Sequence, residues 1–209
     1  MKRILYLIMV CLCTMAVSAQ DMKSVFVNMP DSIAPLLTKI NREDCVDFLA
    51  SDMKAQVKNR FDKQSELKSL TDDYLLMQVT DVSTWEMKLL PINDSIKVIC
   101  VIKTLCASVC DSEINFYTTG WQELEASCYV QLPAADAFYL PIETGNENYL
   151  LYRKKADVYL LKLSLEPEGM TLSCEYTTPL GLNEENRKKL EPHLRKEPIV
   201  LQWSNGRFQ

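Results

Sequence analysis

The chain has 209 residues, 47% of them hydrophobic, enough to bury a full core as one large domain or two small ones. Its 23 Lys and Arg against 28 Asp and Glu give a net charge of −5. That balance argues against nucleic acid, because phosphate binding needs clustered Lys and Arg. The short runs Arg153-Lys154-Lys155 and Arg187-Lys188-Lys189 read as solvated faces.

Residues 1–19 carry the pattern of a secretory signal peptide. Lys2 and Arg3 precede an apolar stretch, residues 4–15, broken only by Thr14, and Ala16-Val17-Ser18-Ala19 supplies small residues before Gln20. The apolar core is shorter than the roughly 20 residues that span a bilayer. The expectation is an exported protein, periplasmic or extracellular, that is not an integral membrane protein. Removing residues 1–19 takes Lys+Arg from 23 to 21 against 28 acids, a mature net charge of −7. Cys11 follows Val10 and Cys13 follows Leu12, so neither suits a lipoprotein anchor. Six cysteines remain: Cys45, Cys100, Cys106, Cys110, Cys128 and Cys174. Disulfides and free, buried cysteines acting as small apolar residues both fit that set. Cys106 and Cys110, four apart at a strand connection, suit a local disulfide or a buried pair.

Helical signals come first in the mature chain. Asp31 or Ser32 is the expected cap of one helix and Asn41 of a second, on which Val46, Leu49, Ala50, Met53 and Val57 recur at helical spacing. From Tyr74 the period changes to two, and the spacing predicts strands over 74–80, 84–90, 96–104 and 113–119. Residues 98–102 are apolar throughout, as in a strand covered on both faces. Residues 132–147 read as a long crossover loop, after which the meander resumes at 158–165 and 170–177 around the turn Glu166-Pro167-Glu168-Gly169. In the last strand Met170, Leu172, Cys174 and Tyr176 alternate with Thr171, Ser173, Glu175 and Thr177, giving a buried and a wet face. Asn183 caps a helix that Pro192 should end or kink, and residues 199–203 form a closing strand. The reading is α+β: N-terminal helices, a long antiparallel β-meander, a C-terminal helix packed on the sheet, and a closing strand, all in one domain over 20–209. A gapless shift of 74 residues, 83 onto 157, sets Trp85 on Tyr159, Lys88 on Lys162 and Cys100 on Cys174. It marks 83–121 and 157–203 as a candidate pseudo-duplication.

Several short segments carry a resemblance. They are Met29-Pro30-Asp31-Ser32, Pro35-Leu36-Leu37, Asn41-Arg42 and Val46-Asp47-Phe48, then Leu70-Thr71-Asp72-Asp73-Tyr74, Leu89-Leu90-Pro91, and Asp111-Ser112 followed by Phe116-Tyr117 and Trp121. Together they resemble a family of small exported proteins of the Bacteroidales that is named only as a domain of unknown function. The resemblance implies an envelope or extracellular location and brings no active site. It also implies a modification. Proteins exported by such bacteria are O-glycosylated at Asp followed by Ser or Thr and a small or aliphatic residue, and Asp31-Ser32-Ile33 and Asp94-Ser95-Ile96 match. Ser95, after a turn, is the readier candidate, and Ser32 is expected to be engaged in helix capping.

No catalytic residue is assigned from the sequence. A Ser or Cys nucleophile would need a His base, and the sole histidine, His193, reads as the basic end of a helix. The cysteine spacing is not that of a zinc site, no EF-hand loop is present, and five glycines form no phosphate cradle, so no metal or cofactor is called for. The acidic doublets Asp72-Asp73 and Glu184-Glu185 form no facing pair by themselves. Tyr117, Trp121, Tyr149 and Tyr152 are candidates to line a sugar- or peptide-binding face on the sheet, against the commoner role of strand aromatics as core. The leading expectation is an exported, non-enzymatic binding or interaction protein whose partner, a protein or a glycan, the sequence does not name. The alternative is a cell-envelope hydrolase working through dispersed carboxylates. N-terminal analysis of the secreted protein is expected to begin at Gln20, and a retained leader would refute export by this route.

Overall fold

The computed structural model describes residues 21–141 and 147–209. The expected leader and the expected cut after Ala19 lie outside the described residues. The chain builds three layers: two helices, a seven-stranded antiparallel sheet and a four-stranded antiparallel sheet.

Helix α1, Met22–Val27, starts where Asp21 accepts the Ser24 N–H at 2.8 Å. Helix α2, Lys39–Ala50, is capped by Thr38, with Asn41 as the reciprocal third residue of a capping box. Both caps differ from the expectation. Met22, Val25, Phe26 and Met29 carry the helical spacing that fixes α1, whereas residues 31–37 form turns and Ser32 is an exposed turn residue that caps nothing. The expected stripe also stops short. The helix ends at Ala50, Met53 is exposed, and Val57 belongs to a strand, because the buried face of α2 is Arg42, Cys45 and Val46.

The seven strands follow chain order: β1 (Gln56–Lys58), β2 (Gln64–Leu70), β3 (Tyr74–Thr80), β4 (Ser83–Pro91), β5 (Lys97–Cys106), β6 (Cys110–Thr118) and β7 (Glu123–Leu124). Strand β5 is covered on both faces, as its sequence implies. Ile99 and Val101 meet α1 and α2 in one core with Trp85 and Met87, while Val98, Cys100 and Ile102 face the second core. Strands β1 and β2 escaped the sequence reading because an inward position is polar. Ser65 is fully buried, donates to Val79 O at 2.6 Å and accepts from Asn59 Nδ2 at 3.0 Å.

After the crossover comes helix α3, Glu147–Lys155, in a stretch to which the sequence reading assigned no element. Then follow β8 (Leu161–Leu165), β9 (Thr171–Tyr176), helix α4 (Glu184–Leu190), β10 (Ile199–Ser204) and β11 (Arg207–Phe208). These strands do not extend the meander. They form a separate sheet, ordered β11-β10-β9-β8, on the face of the large sheet away from α1 and α2. Residues 83–104 therefore lie in the first sheet and 157–178 supply β8 and β9 of the second. Helix α4 is capped by Asn183 as expected and gives way to a 3-10 turn, Glu191–His193, at Pro192. It packs beside α3, its Leu190 buried with Tyr139 and Tyr149, and not on the large sheet. The alternation in β9 holds in mid-strand, where Leu172 and Cys174 are buried, and fails at its ends, where Met170 is exposed and Thr177 is buried.

The edge of the small sheet is joined to the large one by side chains. Leu161, Leu163 and Leu165 of β8 donate their outward N–H groups to Asp111 Oδ1 (3.2 Å), Ser112 Oγ (3.0 Å) and Glu86 Oε2 (2.8 Å). Lys88, 1% exposed, adds a bond to Pro167 O at 2.7 Å and lies 3.4 Å from Asp73 Oδ2. Cys106 and Cys110 face each other across the β5–β6 hairpin and form a disulfide, whereas Cys45, Cys100 and Cys174 are free and buried and Cys128 is free and exposed. Desolvation pushes the buried thiols up, Cys45 to about 11 and Cys174 to about 12, as befits inert apolar fillers.

Arg42 holds the helical layer together. Also 1% exposed, it donates to Leu37 O at 2.6 Å, to Met29 O and to Val27 O, and reaches Asp31 Oδ1 at 3.3 Å. Arg42→Ala leaves those carbonyls without a donor and is expected to cost about 3 kcal/mol or more by chemical denaturation. Arg42→Lys should recover little, since an ammonium lacks the planar fork. A loss below about 1 kcal/mol would contradict the clamp.

Candidate functional site

The residues singled out in the sequence do not converge. Tyr117 is buried and packs 5.4 Å from Trp121, whose indole donates to Val25 O at 3.1 Å, so both belong to the contact with α1. Tyr149 and Tyr152 lie on α3, in a separate cluster, not on a sheet face. His193 meets the Tyr149 ring edge-on at 5.1 Å. Asp73 lies beside Lys88, and Asp72 O accepts the Met22 N–H at 2.9 Å. Glu184 and Glu185 pair with Lys188 and Lys189 one turn on. Neither doublet is a facing pair of carboxylates. Ser95 is exposed in the β4–β5 turn, and Ser32 is exposed as well, in the turns that precede α2.

Burial acts most plainly on Glu86, which the sequence reading passed over and whose carboxyl is raised, not lowered. Burial between the sheets raises its carboxyl above the ordinary range, and the Leu165 N–H and the Tyr74 hydroxyl at 3.5 Å offset this only in part. Strand β8 lies over it. Among the described residues no group of three or more His, Cys, Asp or Glu could hold a metal ion, and no helix is long and apolar enough to cross a membrane.

An open cleft lies beside β9. Its larger part, about 350 Å³, is lined by Glu175, Tyr176, Leu180, Arg187, Glu191 and Leu194, and an adjoining part of about 110 Å³ adds Phe138, Arg195 and Lys196. The wall is stiff. Tyr176 stacks on Phe138 at 5.3 Å, and its hydroxyl lies 3.4 Å from that of Tyr139, itself capped by the Arg153 guanidinium at 4.7 Å. Burial raises the Tyr139 hydroxyl far above its ordinary range, keeping it neutral. Glu175 lies 3.7 Å from Lys162, but the side chains of Arg187 and Glu191 pair with no other described residue. An apolar floor and a rim of both signs can hold a ligand.

The family model described as "Protein of unknown function (DUF3256)" matches residues 14–208. The chain belongs to the DUF3256 family. A solved structure, of a domain of an uncharacterized protein from Porphyromonas gingivalis W83, is similar to this DUF3256 chain with a TM-score of 0.82 and 29% identity. The match covers 91% of this chain and 99% of that one. No curated protein matches it. The segments that carried the resemblance are, in this DUF3256 member, the joints between layers. Asp31 and Arg42 brace the α1–α2 turn, Asp73 faces Lys88, Asp111 and Ser112 hold β8, and Trp121 ties the β6–β7 turn to α1.

The Glu86 carboxyl keeps its proton to higher pH in the folded chain than in the unfolded one. Its contribution to stability is therefore full below the unfolded value of about 4.3 and is lost as pH rises through the raised folded value. Glu86→Gln keeps an acceptor for Leu165 and removes the charge. Thermal melts should show the variant gaining on the wild type between pH 4 and pH 7, and a pH-independent difference would exclude this account.

Proposed function

We propose that this DUF3256 protein is an exported, non-enzymatic binding protein that docks a protein segment or a glycan in the cleft beside β9. The single observation that carries the reading is the pairing of a rigid aromatic wall with two rim charges, Arg187 and Glu191, whose side chains have no partner among the described residues. Elsewhere the buried polar groups described above are occupied in joining layers: Arg42, Lys88 and Glu86 each hold backbone of another segment. Ligand pockets commonly have this balance of an apolar floor and a few convergent polar groups. The hydrolase alternative draws on Glu175 and Glu191 lining one cleft. The signal peptide and the exposed Ser95 turn fit an exported protein modified at that serine.

Peptide and oligosaccharide libraries screened for binding provide the test, with Leu180→Glu and Arg187→Glu as controls. Any specific ligand should lose at least tenfold in affinity in both variants while their melting temperatures hold. Equal binding to wild type and variants would remove the cleft from consideration. Ligand cleavage abolished by Glu175→Gln would favour the hydrolase.

A further inference from the structure

The wall of the cleft beside β9 leans on the tip of the β5–β6 hairpin. From Tyr176 the wall continues through Thr177 into a 3-10 turn, Thr178–Gly181, whose Pro179 and Leu180 line the cleft. The hairpin tip, residues 106–110, meets this segment at two points. Thr177, 1% exposed, donates its hydroxyl to Cys110 O at 2.5 Å. Val109 packs on Gly181 so closely that a Cβ there would lie 3.2 Å from Val109 Cγ2. One contact is to a bridged cysteine and the other to its neighbour, so the wall is as steady as the tip.

The tip in turn depends on its disulfide. Cys106 and Cys110 are opposite in register, but the Cys106 N–H points away from the hairpin and donates to Val82 O at 2.7 Å. They therefore form a non-hydrogen-bonded pair, and beyond it Ala107 donates to Val109 O at 3.2 Å. With the bridge closed, this last pair cannot separate. With it open, the ladder frays from its end, and fraying draws Cys110 O and Val109 away from Thr177 and Gly181. Both cysteines are half-buried and flanked by exposed Leu105, Ala107 and Asp111, so a small dithiol can reach the sulfurs.

We infer that the Cys106–Cys110 bridge is a redox switch for the cleft, setting how often its Thr177–Gly181 wall opens. As regulation of that site, the switch rests on the binding role proposed above. An external dithiol supplies two electrons and two protons. The S–S bond between Cys106 and Cys110 breaks, both become thiols, and the sulfurs of the dithiol join in a disulfide of their own. Oxidation runs the exchange in reverse, with a small disulfide as the acceptor.

Amide hydrogen exchange, read by NMR on the intact chain, tests the switch without a ligand. The bridge is left oxidised, reduced with dithiothreitol, or removed in a Cys106→Ala, Cys110→Ala double variant. The probes on the wall are the Leu180 N–H, bonded to Thr177 O at 2.9 Å, and the Leu182 N–H, bonded to Pro179 O at 3.2 Å. Asp62 and Trp121, whose N–H groups close turns elsewhere in the fold at 2.9 Å each, are the comparisons. Opening the bridge by either route is expected to speed exchange at Leu180 and Leu182 by about tenfold or more while Asp62 and Trp121 hold their rates. Unchanged exchange at the wall overturns the switch and leaves the binding role untouched. Equal acceleration at all four amides overturns it too, because that is a loss of overall stability. Failure of the library screens would instead strike the binding role, with no effect on this result.

Discussion

A strand laid along the face of another sheet has N–H groups on its open side that no neighbouring strand can accept, and each buried orphan costs about 1–3 kcal/mol. Strand β8 is in that position, and Asp111, Ser112 and Glu86 supply the three acceptors. The same odd-numbered residues that donate there, Leu161, Leu163 and Leu165, bury their side chains in the core between the sheets. One stretch of five residues thus satisfies the polar and the apolar demands of the second layer together. Without those three acceptors the small sheet would have an open edge where its core contact is closest.

That joint explains why charged groups sit so deep in the molecule. Lys88 lies in a strand whose neighbours Met87, Leu89 and Leu90 are buried, and its ammonium is stabilised by Pro167 O, Asp73 and the face of Tyr74 at 5.6 Å. Glu86 lies two residues before it on the same face and is held by the backbone of β8. Both reach the β8–β9 hairpin from one strand, so they fix the position of that hairpin as well as its distance. Arg42 does the equivalent for the helical layer, with carbonyls from three separate points of the turn around one guanidinium. The polar interior is a set of braces.

How legible this was in the sequence depended on whether a residue's burial and its polarity agreed. Strand β3, Tyr74–Thr80, has the bounds its alternation predicts because its inward residues are apolar. Strand β2 was invisible because Ser65 takes an inward place and is satisfied by Asn59 and Val79, contacts that sequence cannot show. Helix α3 was missed because its outer positions Leu150 and Leu151 are exposed while Tyr149 is buried, so no apolar stripe marks it. The two-sheet split was hidden as well, since alternation predicts a strand but not the sheet it joins. Of the binding surfaces, Tyr176 was recognised as an alternating residue, but its stack on Phe138 joins segments distant in the chain.

The Cys106–Cys110 bridge closes a ring of only a few residues, with a sequence separation of 4, on a hairpin that the β5–β6 ladder already defines. Its effect on the folded molecule is therefore small, and its main action is on the unfolded chain, where closing so short a loop removes conformational entropy equivalent to about 2 kcal/mol. Oxidised and reduced forms of this one protein thus differ by roughly thirtyfold in the fraction unfolded at equilibrium. How often the fold opens is then set in part by the redox state of its surroundings.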